Sequence, residues 1–148
     1  MLSGECYCGS VKYAIDGDLI RMYCCHCRTC RKVTGASFST TAVVDPALFS
    51  ITEGKEHVVE VPQGEHSRNH CAICHCWVFS RSEPFPAVMF IPCGTLVNSP
   101  QRSIDYHVFY SQKADWINIR DDIPIYPEML PDEELAKWVP QSNLTRDL

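Results

Sequence analysis

Cysteine is the residue that most constrains how this chain can fold. The 148 residues include ten cysteines, and nine of these fall into three short clusters. The clusters read Cys6-x-Cys8, Cys24-Cys25-x-Cys27-x-x-Cys30 and Cys71-x-x-Cys74-x-Cys76, and Cys93 stands alone. Cysteines one or two residues apart let a tight turn direct two thiolates at one point, as tetrahedral zinc requires. Free cysteines can also serve as small core residues, but three such clusters indicate bound metal.

The two outer clusters predict a closed metal site. Cys6 and Cys8 precede one predicted strand, and Cys71 and Cys74 lie at a turn before another. Two pairs of this kind can complete a four-cysteine site, which is typical of structural zinc.

The middle cluster predicts a different kind of site. Cys25, Cys27 and Cys30 are three well-spaced thiolates with no visible fourth ligand, the arrangement of a catalytic zinc. Cys24, His26 or a distant histidine could instead close this site and make it structural. The spacing does not match common iron–sulfur patterns, so we expect two zinc ions per chain. The ion at the middle cluster should be the more labile one, because its three ligands lie close together in sequence.

The N-terminal segment and the charge limit the setting and the partners. The segment MLSGECYCGS lacks the basic and apolar regions of a secretory signal, and no stretch approaches the ~20 apolar residues of a membrane span. We expect a cytoplasmic protein without membrane contact, where clustered cysteines bind metal more often than they form disulfides. A net charge of −5, from 13 basic and 18 acidic residues, argues against a nucleic-acid partner.

Most of the chain has the pattern of short β-strands. The segment SVKYAI alternates apolar and polar positions, with Val11, Tyr13 and Ile15 on one face. Further segments rich in β-branched or aromatic residues are FSTTAVV, HVVEV, WVFS, AVMFI and IDYHVFY. We therefore predict a mainly β protein built from antiparallel strands.

Helix is predicted only in short pieces. A turn is expected after Asp45, another around Cys27 to Lys32, and a third in PDEELAKWV, where proline and acidic residues suit a helix N-terminus. The sequence has no repeat or linker that would divide it, and 148 residues suffice for one core. We predict a single zinc-binding β domain over residues 1–140 and a flexible polar tail over 141–148.

The order of these motifs resembles the glutathione-dependent formaldehyde-activating enzyme family, from about Ser3 to Pro127. The resemblance rests on GECYCGSVKY, CHCRTCRKVTGASFST, HCAIC, CGTL and HVFYSQKADWINIRDDIPIY, in this order. It implies a carbon–sulfur lyase with zinc on a tent-like β fold, in which zinc joins small antiparallel sheets. It also implies the reversible addition of glutathione to formaldehyde, so the expected partners are a glutathione-like thiol and a small aldehyde.

Residue by residue, the resemblance implies the same two metal sites as the spacing. The ligands it assigns to the structural zinc are Cys6, Cys8, Cys71 and Cys74. The ligands it assigns to the catalytic zinc, which are also the candidate catalytic residues, are Cys25, Cys27 and Cys30.

The sequence departs from the family pattern near two of the clusters. His75 stands where the family usually has a glycine, which can adopt a positive φ at the zinc turn. Cys76 follows directly, so that Cys74 and Cys76 could exchange roles. Cys24 occupies a position where the family often has asparagine.

Other functions and other roles stay open at this point. The chain could be a zinc-stabilised binding module without catalysis, or a thiol-redox sensor in which the three unassigned cysteines react. Those cysteines are Cys24, Cys76 and Cys93. We expect His26 to orient its neighbours rather than to bind metal. Arg28 and Arg31 are the candidates for binding a substrate carboxylate, because the arginine fork suits that group.

Overall fold

The structure, a computed structural model, describes residues 1–144. Within that range the chain forms ten β-strands and three short α-helices. The strands are β1 (Leu2–Glu5), β2 (Lys12–Ile15), β3 (Arg21–Cys25), β4 (Ser39–Val44), β5 (Phe49–Glu53), β6 (Val58–Gln63), β7 (His66–Cys71), β8 (Trp77–Ser82), β9 (Met89–Pro92) and β10 (Tyr106–Val108). The helices are α1 (Arg28–Thr34), α2 (Asp132–Leu135) and α3 (Gln141–Leu144).

The strands form two sheets, so the protein is mainly β with few short helices, as predicted. The small sheet has the order β1-β2-β5, and the large one has the order β10-β3-β4-β9-β8-β7-β6. Neighbouring strands are antiparallel with one exception, since β10 runs parallel to β3. The antiparallel prediction is wrong for this pair. Parallel strands need a long connection, and here the chain from α1 to β9 lies between them.

The pattern of alternation in the sequence correctly locates the core-facing side of β2. Tyr13 and Ile15 are fully buried, whereas Lys12 and Ala14 are partly exposed. The same alternation places successive residues of the central strands β3 and β4 on opposite faces of the large sheet. Met22 and Tyr23, for example, belong to two separate hydrophobic clusters. The centre of the large sheet is therefore buried on both faces, whereas the edge strand β6 is mostly exposed.

Two hydrophobic cores result, one on each face of the large sheet. The first core fills the space between the two sheets with aliphatic side chains and Tyr13. The second is aromatic: the ring of Tyr23 lies 6.0 Å from that of Tyr106 and 5.7 Å from that of Trp138. Cys6 and Cys71 border the first core and Cys25 borders the second, so the two cysteine groups lie in different surroundings.

The short helical pieces lie close to where they are predicted. Asp45 caps the 3-10 turn Pro46–Leu48 by accepting a hydrogen bond from the Ala47 backbone at 2.9 Å. Cys27 caps α1, and the segment PDEELAKWV is helical only over Asp132–Leu135. Its Trp138 instead completes the aromatic core.

The predicted tail over 141–148 lies partly outside the described residues. Its first four residues form α3, and the Ser142 backbone N–H donates to Asp45 Oδ2 at 2.7 Å. The single domain over 1–140 stays a prediction. In the part of the chain from 1 to 144, none of the helices has the length and apolar character that crossing a membrane requires.

Candidate metal centres

Four thiols from two distant turns lie together at the edge of the first core. They belong to Cys6, Cys8, Cys71 and Cys74, and their sulfur atoms all lie within 4.8 Å of one another. The Cys6 and Cys8 sulfurs are 3.6 Å apart, and those of Cys8 and Cys71 are 3.8 Å apart. The sequence-predicted pairs therefore meet, and Cys74 rather than Cys76 belongs to the group. We call these residues the four-cysteine cluster.

In each turn of the four-cysteine cluster, the residue directly after the second cysteine has a positive φ. Gly9 follows Cys8 with a φ of 76°, and its N–H donates to the Cys6 carbonyl at 3.0 Å. His75 follows Cys74 with a φ of 63°, and its N–H donates to the Cys71 carbonyl at 2.8 Å. His75 thus adopts the left-handed conformation for which glycine is better suited.

Burial and hydrogen bonds act on the thiols of this cluster, and burial raises the pKa of Cys71 to about 11. The Val11 backbone N–H donates to Cys6 Sγ at 3.3 Å, and the Ile73 backbone N–H donates to Cys71 Sγ at 3.4 Å. Hydrogen bonding with Ser10 lowers the pKa of the exposed Cys8 to about 6. Thiolates are the metal-binding form of cysteine, so Cys8 supplies one such group and a bound cation would favour the same form in its neighbours.

Three more thiols meet where β3 ends and α1 begins. Cys25 is the last residue of β3, Cys27 caps α1, and Cys30 lies in the first turn of that helix. Their sulfur atoms lie within 4.8 Å of one another, and the Cys30 backbone N–H donates to Cys27 Sγ at 3.3 Å. The strand-to-helix turn therefore brings together all three predicted ligands. We call them the three-cysteine cluster.

No other cysteine, histidine or carboxylate among residues 1–144 joins the three-cysteine cluster. Cys24 points away from it, with its sulfur 4.0 Å from Thr40 Oγ1. The His26 ring is also directed elsewhere and packs between Phe38 and Tyr110, at centroid distances of 4.9 and 5.2 Å. The two nearby alternatives for a fourth ligand are thus placed outside the cluster.

His26 begins a buried hydrogen-bonded chain that the sequence did not indicate. Its Nε2 lies 2.9 Å from His107 Nδ1, and His107 Nε2 lies 2.9 Å from Asp121 Oδ2. With the carboxylate ionised, His107 donates to Asp121 and accepts from His26. Burial lowers the pKa of His26 to about 4, so its ring is neutral. These hydrogen bonds hold the His26 side chain, and with it the backbone between Cys25 and Cys27.

The pKa values of the three thiols are shifted in different directions. Hydrogen bonds from Cys25 and Cys30 lower the pKa of Cys27 to about 2, and hydrogen bonding to Cys27 raises the pKa of Cys25 above its usual range. Further ionisation would place like charges side by side, which a cation bound by all three sulfurs would relieve.

A cavity of about 480 Å³ opens beside the three-cysteine cluster and is lined by all three thiols. One wall is aromatic and includes Phe85, Phe90 and Phe109. Phe109 has a φ of 53°, a strained conformation for a bulky residue that costs about 1–3 kcal/mol. Another part of the lining, which we call the polar wall, includes His66 and Arg68 on β7. We call this space the thiol cavity.

Arg28 and Arg31 do not line the thiol cavity. They lie along a separate surface groove of about 740 Å³, where the Arg31 guanidinium sits 5.1 Å from the ring centroid of Trp116. The arginine that lines the thiol cavity is Arg68, which was not among the residues predicted from the sequence. Its only sequence signal is a run of polar residues in HSRNHC, where a strand facing the core would be apolar.

The three unassigned cysteines have the properties of inert thiols. Burial raises the pKa of Cys24 to about 11 and that of Cys93 to about 12, and it also raises the pKa of Cys76. Reactive cysteines have lowered pKa values and solvent access, so these residues do not favour a redox sensor.

The fold and the two clusters define a mainly β protein with two groups of cysteines that could hold metal ions. A sequence model of the glutathione-dependent formaldehyde-activating enzyme family matches residues 1–112. The chain belongs to this family, which confirms the resemblance noted in the sequence. The structure is also similar to the crystal structure of a Rhodobacter sphaeroides protein, with a TM-score of 0.55 and 15% identity over 84% of this chain and 98% of that one. That likeness supports the fold alone.

Proposed function

We propose that this protein is a zinc-dependent carbon–sulfur lyase that reversibly adds a thiol such as glutathione to formaldehyde or a related small aldehyde. The observation that carries the proposal is the three-cysteine cluster, which opens onto the thiol cavity and has no fourth ligand among residues 1–144. Three protein ligands with one open position suit a catalytic zinc. Family membership supports the choice of thiol and aldehyde.

The donor sets of both clusters fit zinc. Sulfur ligands about 2.3 Å from a tetrahedral ion lie about 3.8 Å from one another. The separations of 3.6 and 3.8 Å in the four-cysteine cluster match this value. All donors are thiols, which select soft or borderline ions over magnesium or calcium. We propose a structural zinc at the four-cysteine cluster and a catalytic one at the three-cysteine cluster.

The reaction needs no oxidant and no further reactant. A bond forms between the thiol sulfur and the aldehyde carbon, the C=O π pair moves to oxygen, and the proton lost by sulfur ends on that oxygen. A zinc ion held by Cys25, Cys27 and Cys30 would supply a Lewis acid and lower the pKa of a substrate thiol.

Residues of the chain orient the reactants and carry the proton. The hydrogen bonds that link His26, His107 and Asp121 hold the backbone between Cys25 and Cys27 in place. His66 lines the thiol cavity, and burial lowers its pKa, so that its imidazole is neutral at pH 7. A ring nitrogen of His66 can therefore accept the thiol proton and return it to the alkoxide.

We further propose that the reaction takes place in the cytoplasm. All ten cysteines are free thiols in the described structure, and clustered thiols of this kind persist in a reducing compartment.

Exchange spectroscopy on glutathione and formaldehyde tests the proposal. The zinc-loaded protein should accelerate the exchange between free and hydroxymethylated thiol well above the rate in buffer, and Cys27→Ser should abolish the acceleration. A folded, zinc-loaded protein that gives no acceleration with glutathione or with other small thiols would contradict the proposed activity.

A further inference from the structure

Arg68 is a buried cation without a counter-ion. It is 4% exposed, on the strand β7 that forms the polar wall of the thiol cavity. Its Nη1 donates to Gln63 Oε1 at 2.7 Å, and its guanidinium lies 5.5 Å from the ring centroid of Trp77. Among residues 1–144, no carboxylate lies within ion-pair distance of it, and its buried Nε has no hydrogen-bond partner.

A buried guanidinium of this kind is costly for the free protein. Arginine stays protonated in proteins, so the group cannot lose its charge to escape the cost of desolvation. The Gln63 amide and the Trp77 ring are neutral partners and leave a full positive charge beside the cavity. Proteins rarely bury a charge without a partner, and an anionic ligand would supply the missing one.

Two more residues of the same cavity carry buried donors without acceptors. They are the Trp77 indole Nε1 and the Ser82 hydroxyl, neither of which has a hydrogen-bond partner. Together with Arg68 Nε, they account for three of the five buried polar atoms without partners in the described structure. Two of the three are N–H donors and the third is a hydroxyl that can donate, so an anion could accept hydrogen bonds from all of them. Among the described residues that line the cavity, Glu65 is the only carboxylate, and it is exposed.

We infer that the thiol cavity selects thiols that carry a carboxylate, which binds at Arg68 while the thiol faces the three-cysteine cluster. The inference rests on the proposed function and names its substrate class: small acidic thiols are preferred over neutral or cationic thiols of the same size. The guanidinium fork binds carboxylate through two parallel hydrogen bonds. The aromatic residues of the same cavity would accommodate the apolar part of such a molecule.

A thioether acid tests binding apart from catalysis. The probe is 3-(methylthio)propionate, which has no thiol and cannot react, and its neutral methyl ester is the reference ligand. Titrations of the zinc-loaded protein, followed by NMR chemical shifts, compare wild type with Arg68→Met. The matched control is Arg81→Met, because Arg81 is an exposed arginine on the adjacent strand β8 and does not line the cavity.

Wild type and Arg81→Met should bind the acid and not the ester. Arg68→Met should bind the acid about tenfold more weakly or worse, since a hydrogen-bonded charge pair contributes ~1.5–3 kcal/mol. Its thermal unfolding midpoint should be equal to or above that of wild type, because an unpaired buried charge has been removed. Equal affinity in wild type and Arg68→Met would overturn the inference, as would a lowered midpoint with unchanged affinity, which shows a purely structural role.

Arg68→Lys is the second variant, in case Arg68→Met does not fold. It keeps the charge and loses the fork, so its affinity for the acid should fall while the ester still fails to bind. An affinity equal to that of wild type would overturn the proposed fork.

Exchange rates then separate this inference from the proposed function. Formaldehyde exchange is measured with 3-mercaptopropionate and with the neutral 2-mercaptoethanol. Acceleration of the acid alone, lost in Arg68→Met, supports both ideas. Equal acceleration of both thiols, unchanged in Arg68→Met, leaves the activity standing and overturns the carboxylate selection. Binding of the thioether acid at Arg68 without acceleration of any thiol supports the anion site and contradicts the activity.

Discussion

The two cysteine clusters are built from the same side chain but differ in the number of cysteines and in what surrounds the sulfurs. The four-cysteine cluster joins two turns that are 63 positions apart in sequence, and backbone N–H groups of Val11 and Ile73 donate to its sulfurs. The three-cysteine cluster comes from one strand-to-helix turn and faces a cavity. A full set of ligands makes a closed site, whereas an incomplete set beside a cavity leaves room for a substrate.

The clusters also differ in how they contribute to the fold. The first connects the N-terminal turn to the end of β7 and borders the core between the two sheets. The second groups three cysteines that lie within six residues of one another, so a metal ion there would link only neighbouring parts of the chain. We therefore expect changes in the first cluster to alter stability and changes in the second to alter chemistry.

The largest expected effect is that of Cys71→Ser, which removes a ligand of the four-cysteine cluster. Structural zinc contributes ~10–16 kcal/mol of apparent binding free energy in zinc-finger peptides, comparable to the whole stability of a small domain. The variant should be insoluble or unfolded by near-UV circular dichroism.

The matched variant for that experiment is Cys76→Ser, which changes a nearby cysteine outside the cluster. It should fold and bind two metal ions. A well-folded Cys71→Ser protein with an unchanged unfolding midpoint would show that the cluster is not structural.

The grouping of the cysteines in the structure shows what the spacing of residues in a sequence can predict. Cysteines two or three residues apart can meet at one turn, so the grouping of Cys25, Cys27 and Cys30 could be predicted from their spacing. The β2 pattern could be read in the same way, because its alternation reflects one buried face. The strand β3, RMYCC, shows no alternation because four of its five residues are buried, and the prediction missed it.

The polar wall of the thiol cavity could not be predicted by the same logic. Polar residues on a strand ordinarily face solvent, whereas His66 and Arg68 on β7 line the same cavity as the three thiols. The arginines next to the cysteines in sequence were chosen instead, but α1 directs Arg28 and Arg31 into the outer groove. Nearness in sequence identified the cysteines that cluster but not the polar side chains that line the cavity beside them.

Cys27→Ser should separate chemistry from folding. Serine is a good helix N-cap, and its hydroxyl can accept the Cys30 N–H bond that Cys27 Sγ accepts now. We expect the unfolding free energy to change by less than about 2 kcal/mol, while thiol–aldehyde exchange falls to the rate in buffer. Denaturant unfolding and exchange spectroscopy measure the two effects.

Cys24→Ala is the control for this variant, since Cys24 is adjacent to Cys25 but lies outside the cluster. It should retain the full exchange rate. If Cys24→Ala lost activity while Cys27→Ser kept it, the assignment of the chemistry to the three-cysteine cluster would be wrong.

His66→Gln should lower the exchange rate without loss of zinc or fold. Removal of a general acid–base group typically reduces a rate by about 10²–10⁴-fold. Binding of the thioether acid should be unchanged, because Arg68 remains. The control is His70→Gln on the same strand, since His70 does not line the thiol cavity. Equal rates in the two variants would remove His66 from the mechanism.

The smallest effect is expected at His75, in a turn of the four-cysteine cluster. Its φ of 63° suits glycine and opposes a β-branched residue. His75→Gly should leave the unfolding free energy unchanged or raise it by up to about 1 kcal/mol, and His75→Val should lower it by about 1–2 kcal/mol. Exchange rates should be equal in both variants. A stable His75→Val protein would show that the turn does not hold this conformation.

Stepwise metal removal tests the difference between the clusters most directly. The zinc-loaded protein is treated with increasing amounts of a mild chelator, while released zinc, near-UV circular dichroism and exchange activity are followed together. One equivalent should leave first, with the fold intact and the activity lost, because the three-cysteine cluster has an open position and local ligands. The second equivalent should leave only as the protein unfolds. Release of both ions in one step with collapse of the fold would contradict the account, since both clusters would then be structural.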